Sequence, residues 1–167
     1  MNLDSLALFF SSFPPEFATF ILAMIPVLEL QASIPIALGA YKLPLFSAYF
    51  FSIAGNLVPA FFLLMFLDPV SRYLMERSNF FKKIFEWVFQ YTRGKFSQKY
   101  IKYGQWAIFA FIAIPTPLSG AWSSSVAAFL FNIPFKRAFL LIALGEIIAG
   151  AIIIGIAEGA FTMFRVS

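Results

Sequence analysis

The chain of 167 residues is 61% hydrophobic and only 12% charged, with a mean hydropathy of +0.86. Water-soluble domains are about 45–50% apolar and about 25% charged, so this composition excludes an ordinary soluble domain and predicts a single all-α integral membrane domain over residues 1–167. Cysteine and histidine are absent, which excludes disulfides, Ser-His triads and the usual zinc ligands. We therefore expect no metal site, no cofactor and no enzyme activity.

The first part of the chain, residues 1–67, contains a broken apolar segment and then an unbroken one. The segment 17–42 is interrupted in its centre by Pro26, Glu29, Gln31 and Pro35. Proline blocks the preceding helical turn, and two legs of about 9–10 residues reach only about 15 Å, half a membrane. This pattern predicts a re-entrant helical hairpin. The stretch from Pro44 to Leu67 is long enough for a transmembrane helix, since about 22–24 residues span ~33–36 Å.

Residues 68–104 form a basic connector, and we expect Asp68-Pro69 to interrupt the helix before it. On a helical wheel, Phe81, Ile84, Phe85 and Val88 occupy one side. The polar side carries Arg72, Asn79, Lys82, Lys83, Glu86, Gln90 and Arg93. This pattern predicts an amphipathic helix in the membrane interface, with Lys82, Lys83 and Arg93 at lipid headgroups. The clustering of positive charge in this segment makes it cytoplasmic by the positive-inside rule and gives no reason to expect nucleic acid as a partner.

The last part, residues 105–167, repeats the pattern of the first. The segment 106–132 is broken, and the stretch from about Phe135 to Ile156 is a second predicted span. The break contains Pro115, Thr116, Pro117, Ser119 and Gly120. If 106–132 were instead a kinked full span, the chain would have four spans. The charges of Lys136 and Arg137 favour the hairpin, because it returns both residues to the cytoplasmic side, at the membrane surface.

The two halves also align in sequence. Residues 43–60 match residues 133–150 at a constant offset, which pairs Gly55 with Gly145 and Asn56 with Glu146. Pro26 meets Pro115 one residue out of register. One crossing separates the halves, so they would be inverted repeats, an arrangement typical of secondary transporters.

Two carboxyl groups fall within the apolar halves, Glu29 at the first break and Glu146 in the second span. A carboxylate inside a bilayer has to be paired, hydrated or protonated, so each is a candidate proton or cation site, or else only satisfies loop backbone. Helix starts at the second break favour anions, although Ser123 to Ser125 could simply cap a helix. Trp122 could pack or contact a ligand. The glycines are expected to let helices approach closely.

The motifs PVLELQASIPIALG and PTPLSGAWSSSVAAFLF resemble the small multidrug export family, which is grouped with the DedA superfamily. Gln31 and Ser33 stand where the family has arginine and glycine. The resemblance implies two facing re-entrant hairpins and the transport of polyprenyl phosphate or phospholipid. The substrate or ion site is predicted to comprise Glu29, Gln31, Ser33, Pro35, Asn56, Pro115, Thr116, Pro117, Ser119, Gly120, Trp122, Ser123 and Glu146.

Three functions follow as hypotheses. The first is a proton- or ion-coupled transporter or flippase for a phosphate-headed lipid such as polyprenyl phosphate. The others are efflux of small amphipathic cations and a non-transporting membrane scaffold. In each case we expect a multi-pass protein of the inner, or cytoplasmic, membrane that contacts lipids and forms a homodimer, which would cover the hairpin backbones.

Overall fold

A computed structural model describes residues 13–103, 105–115 and 120–166, without the side chains of 95–103 and 161–166. Thr116, Pro117 and Ser119 of the predicted site lie outside the described residues. The described residues form helices and no strand, which confirms the all-α class. The helices are α1 (Pro15–Met24), α2 (Glu29–Gly39), α3 (Leu45–Arg77), α4 (Asn79–Tyr103), α5 (Trp106–Ala113), α6 (Ala121–Leu130) and α7 (Phe135–Val166).

Two of these helices are long and apolar enough to cross a membrane, α3 and the stretch Phe135–Ala160 of α7. They begin where the two unbroken spans were predicted. Large apolar side chains cover their outer surfaces, including Phe46, Phe62 and Ile156. Such a surface is costly in water and normal against lipid.

The first long helix does not stop where the sequence predicted. Instead of breaking at Asp68-Pro69, α3 continues to Arg77 and ends at Ser78, which has an extended backbone. A proline within a helix removes one backbone hydrogen bond and kinks the helix without always ending it. One turn later Arg72 Nε donates to the carboxylate of Asp68 at 2.8 Å, an i,i+4 pair that supports the helix across the proline.

Each long helix is preceded by a pair of short ones. A turn at residues 25–28 separates α1 from α2, and the chain between Ala113 and Ala121 separates α5 from α6. With 8 to 11 residues each, these helices reach only about 12–17 Å. The first break is narrower than predicted, because Pro35 lies inside α2.

Each long helix packs against the short pair that precedes it. Gly55 of α3 lies against the backbone of Phe20 in α1, and Gly145 of α7 lies against Ile112 in α5. The second short helices, α2 and α6, each contact both long helices. Each of the two glycines paired by the sequence alignment therefore lies in a close contact between helices.

The connector helix α4 lies against α3, α5 and α6. Its Phe89 ring is 5.5 Å from that of Phe129 in α6, and Thr92 is buried. Lys82, Lys83 and Arg93 are exposed, as the helical wheel predicted. The less polar side of α4 thus packs partly on the protein itself.

Candidate functional site

The two acids singled out in the sequence converge on the start of α6. Glu29 is only 5% exposed, and its carboxyl group lies directly against Gly120, where an added Cβ would overlap it. Its backbone has φ of +43°, in the left-handed region that few non-glycine residues adopt. Unusual backbone of this kind is concentrated at functional sites, and here it begins α2 with the carboxyl group facing the other short pair.

Glu146 reaches the same point from α7. Its carboxylate accepts a hydrogen bond from Asn56 Nδ2 of α3 at 2.9 Å and another from the backbone N–H of Ala121. Both Glu146 and Asn56 are 1% exposed. A carboxylate at a helix N-terminus satisfies a free donor and complements the helix dipole. The two residues that the repeat alignment pairs are therefore in direct contact.

A small cavity of about 10 Å³ lies between these groups. Its polar lining comes from Glu29, Gln31, Asn56 and Glu146, and no lysine or arginine of the described part of the chain lines it. About 10–15 Å³ is the least volume that holds one water molecule, so this cavity fits a single water or a small ion.

A second cavity of about 610 Å³ opens beside the first, between the α1–α2 turn, α4 and α6. Trp87 and Tyr91 of α4 and Trp122 of α6 line it, together with Glu29. Its other lining residues are Pro26, Val88, Thr92, Ser123 and Val126. This volume suits a drug-sized molecule, and among the described residues Glu29 is its one charged lining residue.

The contribution of α4 to this cavity was not predicted. Trp87 and Tyr91 are one turn apart with stacked rings, their centroids 5.8 Å apart. The i,i+4 spacing of two amphipathic aromatics was visible in the sequence, but the connector was interpreted only as a membrane-surface helix.

A third cavity, of about 470 Å³, lies at the far end of α3. It is lined by Arg72 and Asp68 of α3, Arg93 of α4, and Asn132 and Phe135 at the α6–α7 connection. Arg72 is paired with Asp68. Arg93 is the other basic residue in this described lining. Lys82, Lys83, Lys136 and Arg137 are exposed and line none of the cavities described here.

The remaining predicted site residues are distributed around these cavities. Gln31, Pro35 and Pro115 line an apolar cavity of about 400 Å³ against α7. Ser33 is fully buried, and its hydroxyl has no hydrogen-bond partner.

The serines of α6 lie within the helix rather than at its start. Ser123 Oγ donates to the carbonyl of Gly120 at 3.3 Å, and Ser125 Oγ donates to that of Ala121 at 2.7 Å. These hydroxyls therefore bond the preceding turn, while the start of α6 faces two carboxyl groups.

The comparison with known families decides the identity of the chain. The model of the family described as "Putative small multi-drug export protein" matches residues 29–152, from Glu29 to beyond Glu146. The chain belongs to the small multidrug export family. The family is described as one of export proteins, so membership indicates a transporter rather than an enzyme, and with the two long apolar helices it indicates a membrane protein. No curated protein and no solved structure matched the chain.

Proposed function

We propose that this member of the small multidrug export family is an ion-coupled transporter in which Glu29 joins the substrate site to the coupling site. The observation that carries the proposal is that Glu29 lines both the wide aromatic cavity and the small cavity shared with Glu146. A carboxyl group that contacts substrate on one side and a bound ion or proton on the other can exchange one for the other. Exchange at one group is the simplest physical basis for coupling two fluxes.

The re-entrant arrangement is part of the same proposal. Helix α5 starts three residues after α4 ends, and the last turn of α6 packs on α4 through Phe129 and Phe89. Both open ends of the α5–α6 pair thus adjoin one helix, which supports entry and exit on one side of the membrane. Non-helical backbone at the tips would then lie deep in the bilayer but enclosed by protein, where it is tolerated.

Cysteine labelling tests this topology, since the native chain has no cysteine. Single cysteines at Lys83 and Lys136 should react only from the cytoplasmic side of the inner membrane, and one at Lys42 only from the outside. The measurement is labelling of intact cells by a membrane-impermeant maleimide. Labelling of position 136 from outside would contradict the hairpin and restore four spans.

The substrate that the geometry supports best is an amphipathic organic cation, the second of the sequence-based hypotheses. Trp87, Tyr91 and Trp122 offer aromatic faces, which attract cations, and Glu29 supplies a negative charge without a basic neighbour in the lining. Among the described residues, no lysine or arginine in this lining offers a positive charge to an anion. The start of α6, for which the sequence left both anion binding and helix capping open, donates to Glu146.

Binding of ethidium to the purified protein tests the substrate class. We expect Trp87→Ala to weaken ethidium binding by roughly 3–30-fold, the equivalent of about 0.5–2 kcal/mol for a cation–π contact. Trp106→Ala is the matched control, because Trp106 is about as exposed (60% against 66%) and lies outside the cavity lining. Equal affinities of the two variants, measured by fluorescence titration, would exclude this cavity as the ethidium site.

A phosphate-headed lipid such as polyprenyl phosphate is the second candidate. The observation that favours it is the cavity at the end of α3, where Arg72 and Arg93 could receive a phosphate between helices. If polyprenyl phosphate stabilises the protein against heating and ethidium does not, the phosphate-headed lipid becomes the preferred substrate. The homodimer remains a prediction.

A further inference from the structure

The small cavity between Glu29 and Glu146 has the chemistry of an ion site. We infer that it binds one dehydrated monovalent cation of sodium size, held by Glu29, Gln31, Asn56 and Glu146. This inference rests on the proposed function for its role in coupling, and it names the coupling ion. The cavity volume of about 10 Å³ excludes an organic substrate and fits a single ion without its hydration shell.

The orientation of Asn56 provides the first independent support. Its Nδ2 is held by Glu146, and its Oδ1 has no hydrogen-bond partner although the residue is 1% exposed and lines the cavity. A buried acceptor without a donor costs about 1–3 kcal/mol. A cation in the cavity would satisfy this oxygen, and Glu146 orients the amide so that oxygen rather than nitrogen remains free.

The charge of the lining provides the second support. Glu29 and Glu146 bring two carboxyl groups to one buried site, and the described lining contains no lysine or arginine. Carboxylates inside a bilayer are costly, so two of them at one site favour the uptake of up to two positive charges. One proton and one monovalent cation would supply them. Carboxylate and amide oxygens are hard ligands, which suit sodium and not a soft metal.

The same geometry argues against a divalent ion. Calcium takes six to eight oxygen ligands, and magnesium retains several waters. The cavity has no room for those waters, and Glu146 already accepts two hydrogen bonds, from Asn56 and Ala121. Too few oxygens remain for calcium.

Thermal unfolding of the purified full-length chain in detergent tests the site. Sodium chloride is compared with N-methylglucamine chloride at equal ionic strength, with potassium and calcium chlorides as further arms. At a sodium concentration of about 100 times the dissociation constant, the temperature of the unfolding midpoint should rise by roughly 5–10 °C. The rise should saturate as the sodium concentration increases. Potassium should raise it less, and calcium should add nothing.

Asn56→Ala and the milder Gln31→Ala should each reduce the sodium-dependent rise by at least half. Ser52→Ala is the matched control, because Ser52 is buried one turn away on α3 and does not line the cavity. A rise equal in wild type and Asn56→Ala would overturn the site, as would a calcium-specific rise or none with sodium. If sodium has no effect but transport still requires Glu146, the cavity holds only a proton or a water, and the proposed function stands without this ion.

Discussion

Glu146→Gln is expected to abolish gradient-driven ethidium transport in liposomes while leaving the protein folded. The glutamine side chain has the same shape and keeps one oxygen that can accept from Asn56 Nδ2, so we expect the packing to survive. The charge that binds a proton or cation is lost. Losing a hydrogen bond or ion contact to a charged group costs about 1.5–3 kcal/mol, so the driven rate should fall by roughly 10–100-fold or more.

The control for Glu146→Gln is Glu158→Gln, which neutralises an exposed acid on the same helix. Glu158→Gln should transport like the wild type at equal protein density. Gly120→Ala supplies an independent variant, since its Cβ displaces the Glu29 carboxyl group without removing a charge. If Glu146→Gln transports at the wild-type rate under the same gradient, the buried acids do not couple transport.

The sequence pointed to residues that the structure brings together, and it was less accurate about the ends of the helices. Glu29 and Glu146 were singled out because carboxyl groups are rare in apolar segments, and that rarity reflects a physical cost. The repeat alignment paired Asn56 with Glu146, and the structure joins them by a hydrogen bond. The alignment thus pointed to a contact between residues 90 positions apart, which is long-range information that local propensity lacks.

The errors in the sequence analysis have a common origin in tertiary contacts. Pro35 and Pro69 were both expected to interrupt helices, and both lie inside one. Packing against neighbouring helices can outweigh the single backbone bond that a proline removes, above all in a membrane, where the freed carbonyl finds other partners. Likewise, the position of Trp87 at a cavity depends on how α4 docks on α6, which no periodicity in the connector reveals.

Gly55→Ala is expected to be among the most destabilising single-methyl changes in this fold. A Cβ at position 55 would overlap the carbonyl oxygen of Phe20 and lie 2.9 Å from the carbonyl carbon of the same residue. These are backbone atoms, so the neighbour cannot rotate away, and α1 has to move off α3. Overpacking of this kind costs about 1–3 kcal/mol, which in a chain of this size lowers the unfolding midpoint by roughly 2–12 °C.

The sequence alignment pairs Gly55 with Gly145, so the effects of alanine at the two positions can be compared. Gly145→Ala should destabilise less than Gly55→Ala, because the overlap is smaller: the nearest atom to the added Cβ is Ile112 Cβ at 2.7 Å. Gly155→Ala is the control within α7, with nothing within 4 Å, and should gain about 0.5–1 kcal/mol from helix propensity. Midpoints in one detergent should therefore increase from Gly55→Ala through Gly145→Ala to Gly155→Ala. If Gly55→Ala unfolds at the same temperature as Gly155→Ala, α1 does not pack on α3 through Gly55, and the equivalence of the two halves is lost with that contact.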